Sequence, residues 1–251
     1  MSGNRRVMLT PAYVLHQHDW RETSRVVEIF SHEHGRIGLV ARGVRRAKSP
    51  WRAVLRPFQA LLLSWSGGGE LATLTGAETA GATHVLSGPG LMSGFYMNEL
   101  LLRLLPRRDP QPELYRQYSK ALARLMHATA PALRVFEKQL LSALGYGLNL
   151  EREAVSGQPL RVDAIYRYEL EHGPVPAAET TGNGLYISGA ALVALALEDL
   201  SQTEQLHEAR KLLRGALERL LGERPLRTRA VMRAFERSSK APPDGLTEVA
   251  R

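Results

Sequence analysis

The chain has 251 residues, of which 44% are apolar, and a net charge of +8 with a pI near 10.0. That is enough apolar content for a buried core, and no apolar run reaches the roughly 18–20 residues of a membrane span; the richest, "LLLRLLP", is cut by Arg103 and Pro106. There is no cysteine, which excludes disulfides and thiolate zinc sites.

The amino terminus, "MSGNRRVMLTPAY", carries two arginines without a continuous apolar stretch behind them and does not read as a secretory signal. The cytoplasm is therefore the expected location. Five runs then suit β-strands: 12–17, 25–31, 36–43, 56–65 and 70–78. They are rich in Val, Ile, Leu, Phe and Thr and alternate partially with period two. "HEHG" and "SGGG" between them are turn sequences. Five short strands in about 80 residues fit a small closed barrel, and the five-stranded OB-fold matches the count best; an SH3-like barrel has a similar count.

The third and fourth strands are joined by a longer connection that is strongly cationic. Residues 36–56 hold seven basic residues, Arg36, Arg42, Arg45, Arg46, Lys48, Arg52 and Arg56, and no acid. The charge is uneven along the chain, +5 over residues 1–82 and +3 over 83–251. A run of like charge is often only a solvated face. On a loop of an OB barrel, with Trp51 inside it and Trp65 on the next strand, it has the chemistry of a nucleic-acid grip: cations follow phosphates and flat rings stack on bases.

After "LSGPG" (86–90) the periodicity becomes helical. Helices are expected over 91–105, ending at Pro106, over 113–129, and from Pro131 to a terminal Gly145. Residues 146–187 are irregular, with one strand-like patch at 163–171. Ser188 suits the cap of the next helix, Thr203 begins another, and a short one follows over 228–238. The domains expected are 1–82 (barrel), 83–240 (helical, with 146–187 irregular) and 241–251, a polar, Pro-bearing and disordered tail. The fold class is α+β.

Few residues carry signs of catalysis. No G-x-x-x-x-G-K-[ST] loop and no G-x-S-x-G elbow occur, and the glycines at 67–69 read as a turn. The pairs His16/His18 and His32/His34 have the i, i+2 spacing that shares a strand face, but metal binding is the minor reading without cysteines. The carboxylate pairs Glu151/Glu153 and Glu169/Glu171 read as solvated charges. Neither a metal nor a cofactor is expected, and no enzyme activity.

Taken in order, "YVLHQHDWRETSRVVEIFSHEHGRIGLVARGVRR", "LRPFQALLLSWSGGGELATL", "GFYMNELLLRLL", "ALRVFEKQLLSALGYGLNL" and "GERPLRTRAVMRAF" resemble the RecO family of DNA repair and recombination mediators, over about residues 8 to 237. The resemblance implies an N-terminal OB-fold and a helical C-terminal domain. It implies binding of single- and double-stranded DNA, annealing of complementary strands, and capture of the acidic C-terminal tail of single-stranded DNA-binding protein (SSB). It also implies action with RecR to load RecA, at the nucleoid. Many relatives carry a four-cysteine zinc site after "GYG"; this chain has none there, so that subdomain is expected to be zinc-free and held by packing.

On this basis the nucleic-acid contacts expected are Arg36, Arg42, Arg45, Arg46, Lys48, Trp51, Arg52 and Arg56. An SSB tail needs an apolar notch rimmed by guanidinium, for which Arg134, Leu133, Phe136, Arg103 and Arg124 are the candidates. Two other functions suit the same residues: an adaptor for an acidic protein, and an RNA-binding OB protein.

Overall fold

A computed structural model of the chain describes residues 6–180, 182 and 184–231, with backbone only at 82 and 83. Five strands, β1 (Arg6–Trp20), β2 (Ser24–Ser31), β3 (Gly35–Ala41), β4 (Gln59–Ser66) and β5 (Leu71–Thr83), close into a barrel in the order β1-β2-β3-β5-β4. All neighbours are antiparallel except β3 and β5, which run parallel over Gly38–Val40 and Leu71–Thr73. This closure is that of the OB-fold. The connection between β3 and β4 contains one helical turn, α1 (Trp51–Val54), unsignalled in the charge pattern.

The strands read as nearly continuous apolar runs because the barrel is covered on both sides. In β2, Val27 and Ile29 point into the barrel with Leu39, Leu61 and Leu63, while Phe30 points outward into the core of the helical domain. Period-two alternation is weak when both faces are buried. On β1 the pairing skips Leu15, since Val14 pairs with Ile29 and His16 with Glu28. The extra residue is a β-bulge: Tyr13 and Leu15 enter the helical core and Val14 the barrel by ordinary alternation, and past the bulge His16, like Leu15, stands outside the barrel.

The helical domain comprises α2 (Gly88–Leu104), α3 (Pro112–Arg124), α4 (Thr129–Ala143), α5 (Gly189–Leu197) and α6 (Thr203–Leu221). The chain turns helical again over 227–231; the rest of the helix expected to 238, and the expected tail 241–251, lie outside the described residues. Two ends follow the sequence signals closely. The Ser188 hydroxyl accepts from Ala191 N–H at 3.1 Å, as an N-cap does. At the end of α4, Gly145 takes φ +82° and Tyr146 N–H bonds to Leu141 O at 2.8 Å, a Schellman closure.

The seam between barrel and helices is both aromatic and polar. Tyr13 and Phe30 lie against Tyr115 and Tyr118, with centroids 5.2–6.2 Å apart. Asn98 donates to Leu15 O at 3.0 Å and accepts from the Tyr118 hydroxyl at 2.6 Å. The joint after α2 reaches back as well: Arg107 pairs with the buried Glu28, and Arg108 donates to Gly69 O. Gly35, at φ +65°, sits so close to that joint that a Cβ would lie 2.0 Å from Asp109 O.

Residues 146–187 are less irregular than their composition implies. β6 (Ile165–Glu169) is the expected strand. It is flanked by β7 (Gly173–Pro176) and β8 (Tyr186–Ser188) in a three-stranded sheet of order β7-β6-β8. Its inward side chains, Tyr166 and Tyr168, are buried in the helical core. Packing thus anchors this subdomain, and among the described residues no three His, Asp or Glu converge as a metal site.

Candidate nucleic-acid interface

The cationic connection leaves β3 at Ala41 and folds back through two tight turns, Arg46 N–H to Gly43 O at 3.1 Å and Ser49 N–H to Arg46 O at 3.0 Å. It is tied to the tip of the β1–β2 hairpin, where Arg45 N–H bonds to Thr23 O at 3.0 Å. The two loops so joined line an open cleft of about 530 Å³, with Arg21, Glu22, Arg42 and Arg46 at its edge.

Arg42, Arg46, Lys48, Arg52 and Arg56 are all exposed, and none forms an ion pair with a described acid. Arg45 is exposed too but is held: its Nε lies 3.4 Å from Asp19 and its Nη1 donates to Arg21 O at 3.3 Å. Asp19 also binds Arg25, at 2.9 Å. Arg42 and Arg46 meet Arg21 at the cleft, with Arg25 nearby in β2, while Lys48, Arg52 and Arg56 are exposed further along the same connection. Arg21 and Arg25 are far away in sequence, and only strand pairing brings them in.

Arg36 does not belong to that surface. Its Nη1 donates to Leu102 O in the seam, and its Nε is buried without a partner. Burial lowers its pKa, the Glu28 charge opposes that, and Arg107 reinforces it. The reason is positional: Arg36 opens β3 beside the helical joint, whereas Arg42 follows the strand's other end. Trp65 is likewise internal, 4% exposed and edge-on to His34 at 5.2 Å. Trp51 is half-buried against the barrel core. Neither stands free as a stacking surface. The exposed tryptophan is Trp20, at 41%, on the hairpin tip.

The two histidine pairs separate. His16 and His18 share the outer face of β1, with rings 6.1 Å apart and tilted by 30°. His32 and His34 diverge, one edge-on to Tyr115 at 5.4 Å and the other to Trp65.

The five residues considered for an SSB tail are not gathered into one notch. Leu133 and Phe136 are core, 5% and 1% exposed. Arg134 is buried beside them and donates to Glu137 at 3.0 Å. Arg103 is exposed but donates to the carbonyls of Leu221, Arg224 and Pro225, at 3.5, 2.8 and 3.5 Å. Arg124 is exposed in the last turn of α3. Helical periodicity located the apolar face of α4 but not its neighbours, α2, α3 and α6, which cover it.

The class this architecture defines is a five-stranded OB-type barrel, with a cationic loop, built onto a helical body. Its lineage is specific. Residues 6–82 match the family model "Recombination protein O N terminal", and residues 88–230 match "Recombination protein O C terminal". The chain is 50% identical over 243 residues to the DNA repair protein RecO of Alkalilimnicola ehrlichii, covering 96% of each. It is 48% identical over 234 residues to that of Nitrosococcus oceani (92% of this chain, 95% of the relative) and 45% over 237 to that of Aromatoleum aromaticum (94% and 99%). The chain belongs to the RecO family, and its role is in DNA repair and recombination.

Proposed function

We propose that the chain is a non-enzymatic recombination mediator that binds DNA through the cluster formed by Arg42, Arg46, Lys48, Arg52 and Arg56, with Arg21 and Arg45 at its margin. The supporting observation is that five exposed cations of one OB loop lack acidic partners while the loop itself is anchored by backbone bonds. Such a surface attracts phosphate without reading sequence. It also lowers the repulsion between two strands held together, which is the physical basis for annealing. In the cytoplasm the mediator acts with RecR to place RecA on SSB-coated strands.

The test is anisotropy with labelled DNA across a salt series. If about four cations contact a single strand, log K falls with log salt at a slope near −3. The triple variant Arg42→Glu/Arg46→Glu/Lys48→Glu loses binding to single and double strands alike; unchanged affinity and slope would retire this reading. An RNA of the same sequence and an acidic peptide, run alongside, distinguish an RNA-binding protein or an acidic-protein adaptor.

The SSB tail is assigned to the helical domain. Arg124 and Arg103 keep exposed side chains there, whereas Leu133, Arg134 and Phe136 take part only if α4 yields some of its packing. A tail peptide that binds Arg124→Glu as tightly as the wild type counts against Arg124.

A further inference from the structure

Beyond the bulge, β1 alternates strictly. Gln17 and Asp19 turn toward the loop side, where Gln17 donates to Leu55 O at 3.4 Å and Asp19 holds Arg25. His16, His18 and Trp20 therefore stand on the opposite, outer face, and all three are exposed. Residues two apart on a strand are separated by about 6.6–6.8 Å, and the two histidine rings stand 6.1 Å apart. Stacked bases follow one another at about 3.4 Å along a strand. Flat rings at about twice that interval leave room for one base between neighbours.

Both ends of this row are cationic. Trp20 sits at the hairpin tip beside Arg21 and the cleft of Arg42 and Arg46. His16 opens onto a second cleft, of about 620 Å³, between β1, α2 and residues 224–231. That cleft is lined by Phe95, which is 38% exposed, and by Arg103, Arg224 and Arg227. The acid within it, Glu99, has both oxygens engaged by Arg227 N–H at 2.8 Å and by Thr228 N–H and hydroxyl at 2.9 and 2.6 Å.

We propose that the outer face of β1 is a track for unpaired bases of single-stranded DNA. The strand leaves the cationic hairpin cluster, stacks on Trp20, His18 and His16, and enters the cleft at Phe95, where Arg224 and Arg227 meet its phosphates. This rests on the DNA-binding reading above and adds selectivity to it. A duplex presents phosphates but keeps its base faces covered, so the loop cluster serves both forms of DNA and the ring row serves only one.

The experiment measures affinity for one sequence as a labelled single strand and as a duplex, at fixed salt, for the wild type, His18→Ala/Trp20→Ala, Trp20→Phe and the triple charge reversal. All substituted side chains are exposed, and matching thermal melts verify the fold. The double variant loses roughly tenfold per ring on the single strand and nothing on the duplex, while Trp20→Phe, which keeps a flat ring, retains most of the affinity. Equal losses on both DNA forms, or no loss on the single strand, overturn the track. Should the charge reversal leave both affinities unchanged, the DNA-binding surface itself is misplaced, an outcome separate from failure of the ring row.

Discussion

The Tyr96 hydroxyl on α2 donates to Glu137 Oε1 on α4 at 2.7 Å, inside the helical domain. Arg134 donates to the same oxygen at 3.0 Å, and Arg229 reaches Tyr96 from the 227–231 turn at 3.3 Å while holding Glu218 at 2.8 Å. The Tyr96–Glu137 pair thus links α2, α4 and the last described turn. Its other oxygen is buried without a partner. Burial raises the Glu137 pKa, and the charge of Arg134 with the Tyr96 hydrogen bond offsets this only in part.

A carboxyl whose folded pKa lies above its unfolded value binds more protons when folded, so its contribution is complete at acid pH and is lost as pH rises. Glu137→Gln is expected to flatten the fall of unfolding free energy as pH rises above about 4.5. Urea titrations of both proteins across that range check it, and parallel curves would refute it.

Removing the cation of the same pair has a different effect. Arg134→Ala leaves a buried carboxyl without its charge partner, and a loss of about 3–5 kcal/mol is expected, read from the urea midpoint at constant m. Tail-peptide binding by Arg134 variants therefore has to be compared at matched folded fractions.

Asp19 restrains the cationic surface. It sits between Arg25 and Arg45, at 2.9 and 3.4 Å. Asp19→Asn frees both cations, and single-strand affinity at low salt is expected to rise several-fold, with the salt slope steeper by about 0.7 for each added phosphate contact. Arg45→Ala, for the same reason, costs less affinity than Arg46→Ala. Anisotropy at several salt concentrations measures both.

Gly35 holds the β2–β3 turn against the helical joint. Gly35→Ala strains a positive φ and drives a Cβ onto Asp109 O, 2.0 Å away. A destabilisation above about 2 kcal/mol is expected, visible as a lowered melting temperature.

The Ser188 cap is a smaller, local test. Ser188→Ala removes the acceptor for Ala191 N–H and is expected to cost about 1 kcal/mol. Its backbone bond to Glu208, at 2.6 Å, is retained. DNA affinity stays unchanged, since α5 lies outside the loop cluster.

Much of the architecture was legible along the chain because its signals are local. Turn glycines, the Ser188 cap and the Gly145 terminus act within a few residues of themselves, and the five strand runs were punctuated by such turns. The strands β7 and β8 were missed because they are three or four residues long and become strands only by pairing with β6. The cationic connection was evident from composition, yet its sequence neighbours Arg36 and Arg42 end on different sides of the barrel. Strand direction separates them, and composition carries no direction.

The amino-acid sequence by itself determined a cysteine-free, basic chain with a five-strand module, a helical body, and its membership of the RecO family, since these reside in order, period and charge. Only the tertiary structure decided which cations remain unpaired, that Trp20 rather than Trp65 faces outward, and that Leu133, Arg134 and Phe136 are enclosed. Whether a side chain meets water or a partner depends on what packs over it, and that neighbour usually comes from a distant part of the chain.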